Sequence, residues 1–487
     1  MMSPLDVLKV DNRYARLPEV FYSRVEPQPL SQARLFHVNR EFAHALGLSD
    51  ALLEHDDFRA VCAGERPLPG GQTLAAAYSG HQFGVWAGAL GDGRAHLLGE
   101  LCTPGGRWEW QLKGSGHTPY SRMGDGRAVL RSSLREYLAS EAMAGLGIPT
   151  TRALAIVVSP DPVYRETTET AAIVSRLSPS FVRFGTFEHV ARTPEHLLAL
   201  LDHVVEDFYP ECCAAEDDVD ARALCFLDQL VARTAQLMVD WMSVGFCHGV
   251  MNTDNMSVLG LTLDYGPFGF MDGFRADHIC NHSDTEGRYA WNRQPTMAHW
   301  NLYRLGAGLL GLGVTQEALR DVLDTFGPRF QEAWKMRMTA KLGLLSWQEG
   351  DQALVDAWWQ LLHSQRADFT LSFRHLATAP EAPEAFLAGF EAPEAARQWL
   401  GDYRARLARD ARPVAQRRDA MNAVNPLYVL RNHLAQQAIT AAQQGDAGET
   451  ERLLMLLRKP FVEHENAAGY AAPAPAWARD LQLSCSS

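Results

Sequence analysis

No apolar run in this chain reaches the roughly 18 residues that a membrane-spanning helix needs. The most apolar segment, LGAGLLGLGV at 305–314, is short and broken by glycine. Basic residues are too few for a nucleic-acid carrier: 45 Lys and Arg stand against 58 Asp and Glu, a net charge of −13, with no basic stripe. Neither a membrane nor a nucleic acid is therefore expected as a partner. The eight cysteines include no CxxC pair, and Cys212 and Cys213 are adjacent. That scatter predicts mostly free thiols in a reducing compartment. The opening MMSPLDVLKVDNRY lacks a basic start followed by an apolar core, so no secretory signal is expected and the location reads as cytoplasmic. There is no Walker A, HExxH or GxSxG motif.

What is present is an ordinary globular composition, 47% hydrophobic and 21% charged over 487 residues, enough for two to four structural units. Residues 1–75 mix short helical runs with proline-rich turns and read as an N-terminal extension on a core. From Gln82, FGVWAGALGDGRAHLLGEL has two apolar runs around Gly91-Asp92-Gly93-Arg94, which predicts a hairpin turning there. WEWQLKGSG alternates strictly: Trp108, Trp110 and Leu112 on one face, Glu109, Gln111 and Lys113 on the other. A helix is expected from about Ser132 to Gly145, then two strands in IPTTRALAIVVS and AAIVSRLSPS. After Phe184 the chain turns helical. Hairpin, strand, helix and strands in this order predict an α+β, protein-kinase-like two-lobe fold. Its small lobe would span 76–184 and its large lobe 185–330, followed by a helical C-terminal region at 331–487.

The stretch HGVMNTDNMSVLGLTLDYGPFGFMD, 248–272, has the cadence of a kinase catalytic loop followed by a metal-binding aspartate. The third position, usually the aspartate that takes the substrate hydroxyl's proton, is Val250. Asn255 and Asp264 are separated by a run able to form a short hairpin, and they offer the hard oxygen ligands that magnesium or manganese takes. Taken singly, each is as well explained as a turn cap. Lys113 ends its strand ahead of a helix, as a phosphate-touching kinase lysine does, and Glu136 is its expected partner, with Glu141 the alternative. GDGR recurs at Gly124-Asp125-Gly126-Arg127, and glycines let a backbone approach phosphate closely. Arg176 and Arg183 are placed to clamp phosphates, although isolated arginines are commonly surface residues. A rival motif, HICNHSD, carries His278, Cys280, His282 and Asp284, donors suited to zinc, but no second ligand cluster accompanies it.

Together, QLKGSGHTPYSRMGDGRAVLRSSLREYLASEA, the 248–272 stretch and a terminal CSS resemble the selenoprotein O family over most of the chain. The resemblance implies a kinase-like fold that binds ATP in a flipped orientation and transfers AMP to Ser, Thr or Tyr hydroxyls of proteins, with UTP as a further nucleotide for some members. It implies nucleotide binding by Gly91, Gly93, Arg94, Lys113, Asp125, Gly126, Arg176, Arg183 and Asp264, metal binding by Asn255 and Asp264, and proton acceptance by Asp254. The family's selenocysteine falls where this chain has Cys485, which points to redox chemistry; Cys280 is the expected partner, in a polar loop after the metal aspartate. A γ-phosphate kinase, disfavoured by Val250, and a non-catalytic nucleotide-binding scaffold are the alternative readings.

Overall fold

The computed structural model describes residues 4–215 and 218–481. Its strands are β1 (Val10–Asp11), β2 (Tyr22–Arg24), β3 (Arg34–Val38), β4 (Leu74–Gln82), β5 (Val85–Gly91), β6 (Ala95–Thr103), β7 (Gly106–Lys113), β8 (Ala128–Val129), β9 (Arg152–Tyr164), β10 (Thr168–Ser178), β11 (Phe246–Cys247) and β12 (Gly269–Phe270). The first ten form one antiparallel sheet whose path runs β2-β4-β6-β7-β10-β9-β3, while β11 pairs with β12 separately. The fold is thus a mixed α and β one, with a large antiparallel sheet and many helices.

Apolar residues on both faces of the long strands explain why the sheet is covered on both sides. On one face lies the helix Leu130–Gly145, whose Leu134, Tyr137, Leu138 and Met143 are fully buried in a cluster that extends through helices Pro194–Phe208 and Val219–Ser243. On the other, Phe42, Leu46, Phe58 and Val61 cover Trp110, Leu112, Val157 and Ile173. The first 75 residues therefore supply strands β2 and β3 of the sheet as well as the helices over its second face. A third cluster, around Trp358, Phe373, Trp399 and Tyr403, gathers the helices between Phe326 and Asn422. No helix of the described residues is long and apolar enough to cross a membrane.

Two expectations are corrected. The hairpin does not turn at Gly91–Arg94. It turns at Phe83-Gly84, with φ of +49° and +84°, and β5 runs back along β4 from Gln82↔Val85 to Ala77↔Gly91. β6 then continues antiparallel to β4 at Leu74↔Leu97, so Gly91–Arg94 is a kink between two strands of like direction. Positive φ at both central residues is the twist that two-residue hairpins favour, and Phe83 tolerates it because its N–H is held by Asn252 Oδ1 and the Tyr289 hydroxyl, each at 3.1 Å. Second, the thiols are mostly free, as Cys62, Cys102, Cys213, Cys247 and Cys280 are, but not all: the turn Pro210–Ala215 folds back on the helix Val219–Ser243 and joins Cys212 to Cys225 in a disulfide.

Candidate active site

A cleft of about 530 Å³ opens between the sheet and the 248–267 segment. Strand pairing sets Gln111 of β7 opposite Arg176 of β10, so the buried Gln111 backs Arg176, which lines the cleft. Lys113 Nζ lies 2.6 Å from Glu136 Oε2 and 2.6 Å from Asp264 Oδ1. Arg176 donates from Nε to Gln111 Oε1 at 2.8 Å, and from Nη1 to Glu136 Oε1 and Asp264 Oδ1, both at 2.8 Å. Arg183 Nη1 donates to the Asp254 carbonyl at 2.7 Å and to Asp264 Oδ2 at 3.2 Å. Glu141, the other candidate for Lys113, is instead held by Arg152 through two bonds of 2.7 and 2.8 Å.

Asp264 is therefore the hub of three cations. Burial alone would raise its pKa, but Lys113, Arg176 and Arg183 outweigh that and hold it well below the ordinary value. Asp254, on the 3₁₀ turn Thr253–Asn255, has opposite surroundings. Its Oδ2 accepts one bond from Gln82 Nε2 at 3.1 Å, and its buried Oδ1 has no hydrogen-bond partner. Burial raises its pKa, and Gln82 and Arg183 only partly offset the shift. The β4–β5 hairpin fixes this turn: His81 N donates to Thr253 Oγ1 at 2.8 Å, and Phe83 N reaches Asn252.

Asn255 donates Nδ2 to the Val250 carbonyl at 2.9 Å, which orients the amide and leaves its oxygen to act as a ligand. Met256 and Thr262 bridge antiparallel, folding the intervening loop back so that Asn255 and Asp264 line the same cleft. His248 stacks on Trp241 with ring centres 5.1 Å apart; burial pushes its pKa down to about 4, so it is neutral.

The remaining residues line the outer part of the cleft. Gly91, Gly93, Asp125 and Gly126 border it, as does Arg94, which is exposed and makes no ion pair among the described residues. Asp125 is committed to Arg165 through bonds of 2.7 and 3.0 Å and to Arg127 N at 2.9 Å. Gly126 has φ of +70°, and a Cβ there would stand 2.2 Å from the Gly116 carbonyl carbon, so only glycine fits. Sequence reasoning missed Gln82, Asn252, Arg165 and Asp92. Asp92, which lines the cleft and accepts from Gln111 Nε2 at 2.9 Å, lay in plain view inside GDGR, whereas the other three acquire their roles only when distant segments pack.

The HICNHSD donors do not converge. Asp284 accepts from the backbone N–H groups of Arg288 and Tyr289 at 2.9 and 2.7 Å, while His282 is exposed. Cys280 differs from the accessible thiol expected in a polar loop. It is buried beneath the His248-Gly249 turn, its Sγ donates to the Cys247 carbonyl at 3.3 Å, and burial raises its pKa well above the ordinary thiol value. Its side chain points inward with that of Asn281, while Ile279 and His282 face out. Cys485, the expected partner, lies outside the described residues.

The family model described as protein adenylyltransferase SelO matches residues 4–458. The chain is 61% identical over 490 residues to a protein of Bordetella avium named protein nucleotidyltransferase YdiU, covering the whole of both. It is 60% identical to the protein of that name from Bordetella petrii, over 99% of this chain and 98% of the relative. The Paraburkholderia xenovorans protein of the same name is 51% identical over 98% of this chain and 95% of its own length.

Proposed function

The chain belongs to the SelO family of protein adenylyltransferases, and on that premise we propose that its cleft transfers AMP from ATP to a Ser, Thr or Tyr hydroxyl of a protein, with UTP as a further nucleotide that would give UMP transfer. The sheet with the helix Leu130–Gly145 acts as the small lobe of a kinase-like pair, and the helices after Phe184, with the 248–272 segment, as the large lobe.

One observation carries the reading: of the two cleft aspartates on the 253–264 segment, Asp264 is loaded with three cations and Asp254 has a buried oxygen with no partner. A general base needs a carboxylate whose basicity exceeds the ordinary value and whose oxygen is free to accept a proton, and Asp254 meets both conditions. Val250, at the usual base position, cannot take a proton. As the acceptor oxygen bonds to the α-phosphorus, its proton passes to Asp254, and the bond from that phosphorus to the β-phosphate bridging oxygen breaks. Pyrophosphate leaves, its charge met by Lys113, Arg176 and Arg183. Arg94 and the backbone at Gly91, Gly93 and Gly126 border the polyphosphate, while Asp125 holds Arg165 toward it.

Asn255 Oδ1 and the Asp264 carboxylate are hard oxygen donors that fit magnesium or manganese, which when bound supplies charge neutralisation on the phosphates. Three cations on Asp264 repel a bare divalent ion, so these residues favour one that arrives already carrying the nucleotide's negative charge. The reaction products test the proposal. Pyrophosphate released in step with an acceptor mass increase of one nucleoside monophosphate supports it; ADP with an acceptor heavier by one phosphate overturns it.

A further inference from the structure

Beside Asp254, at the rim of the nucleotide cleft, which Phe83 lines, the hairpin tip and the helix Gln294–Leu309 form a surface that the transfer chemistry does not use. Phe83, Val85 and Trp86 are 39%, 70% and 50% exposed, unusual for three large apolar side chains within four residues. Next to them, the guanidinium groups of Arg288 and Arg304 both lie over the Trp300 ring, 4.8 and 5.1 Å from its centre. Neither arginine makes an ion pair among the described residues, and each has a buried Nε with no hydrogen-bond acceptor. In a chain with a net charge of −13, two cations on one indole without a carboxylate between them stand out.

This surface is tied to the site by short links. His81 lies 5.1 Å from Trp86 and 5.5 Å from Trp300, and its neighbour Gln82 donates to Asp254. His81 itself pairs with Glu188 at 2.6 Å, which commits that carboxylate's Oε1 to the histidine. Arg288 approaches the hairpin at Gly84, where an added Cβ would meet its guanidinium at 3.1 Å.

We propose that Phe83, Val85, Trp86, Trp300, Arg288 and Arg304 form the docking surface for the acceptor protein, selecting a segment with an Asp or Glu close to the hydroxyl that is modified. This rests on the proposed AMP transfer, which requires a protein hydroxyl to reach Asp254 past this surface. With Nε buried, a guanidinium stacked on an aromatic ring meets a carboxylate through its outer Nη groups, and that pairing is what recognises the acidic side chain. The exposed apolar trio covers the flanking residues, and the charge pair sets register and selectivity.

The probe is a set of peptides with a fixed Ser, Thr or Tyr acceptor, flanked at each position by Asp, Lys or Leu. Two readouts are taken: α-label incorporation from ATP, and peptide binding by fluorescence polarisation without nucleotide. The wild type should modify and bind acidic peptides at least several-fold better than their Leu counterparts. In an Arg288→Gln/Arg304→Gln variant that advantage should fall to about one while ATP affinity is unchanged. Arg288→Glu/Arg304→Glu should turn the preference toward Lys peptides, a gain that a misfolded protein cannot give. Label incorporation by the wild type with no dependence on flanking charge overturns this inference and leaves AMP transfer standing. Charge-selective binding lost in the Gln variant, with γ- rather than α-label transferred, supports the docking surface and overturns the transfer chemistry.

Discussion

The loop from Thr253 to Asp264 has a carboxylate near each end, and the two ends could hardly differ more in surroundings. At the far end, Asp264 takes contacts from Lys113, Arg176 and Arg183 and stays ionised far below the usual range. At the near end, Asp254 has one amide donor, a buried oxygen without a partner, and a raised pKa. Both side chains line one cleft and desolvation pushes both pKa values up, so desolvation does not separate them; the cations do. The same functional group becomes a fixed anion at one end and a proton acceptor at the other.

The strongest way to break this contrast is to remove the fixed anion. Asp264→Asn should lower transfer by roughly a thousandfold or more, since phosphate charge then loses its organising ligand. It should also cost about 3–5 kcal/mol of stability, because three buried cations lose their shared partner. Label incorporation and chemical denaturation measure the two effects.

Asp254→Asn should instead lower transfer by about 10²–10⁴-fold with ATP affinity retained. Its effect on stability should have the opposite sign. A raised native pKa means the fold binds this proton more tightly than the unfolded chain does, so Asp254 lowers stability as pH rises from the ordinary carboxylate value through the raised one. The amide removes that loss, and denaturation at neutral pH should find the variant as stable as the wild type or more so. Wild-type transfer should fall as pH drops through the raised value, and the variant's residual rate should lack that limb.

A third comparison sets Glu136 against Glu141, five residues apart on one helix. Glu136→Gln should cost roughly tenfold or more in kcat/KM, the worth of a charge-assisted hydrogen bond to Lys113 and Arg176. Glu141→Gln should loosen Arg152 and leave transfer near wild type. The smallest effect belongs to Gln82→Ala. Taking away the one donor to the Asp254 carboxylate should move the acid limb upward and change the rate near it by a few-fold.

The parts of the site that were legible in the sequence are those coded by local pattern. Strict alternation placed Lys113 at a strand end, helical spacing placed Glu136 on the following helix, and the spacing of Asn255 and Asp264 implied a turn between them. The α and β class and the helical run after Phe184 followed from periodicity alone. What was not legible depends on partners far away in the chain. Asp-Gly at 92–93 is a stronger turn signal than Phe-Gly at 83–84, yet the hairpin turns at the latter because Asn252 and Tyr289 hold Phe83 in a left-handed conformation. The Cys212–Cys225 disulfide and the burial of Cys280 under Gly249 likewise arise from chain folding back on itself, which no local pattern announces.

The central claim is that this cleft transfers the α-phosphoryl end of ATP with Asp254 as the base. The most direct measurement incubates wild type and Asp254→Asn with ATP labelled at either the α- or the γ-phosphate, using a mixed protein extract as acceptor. The account predicts α-label on protein, γ-label recovered as pyrophosphate, and both lost in the variant. Protein carrying γ-label, or α-transfer by the variant at the wild-type rate, would contradict it.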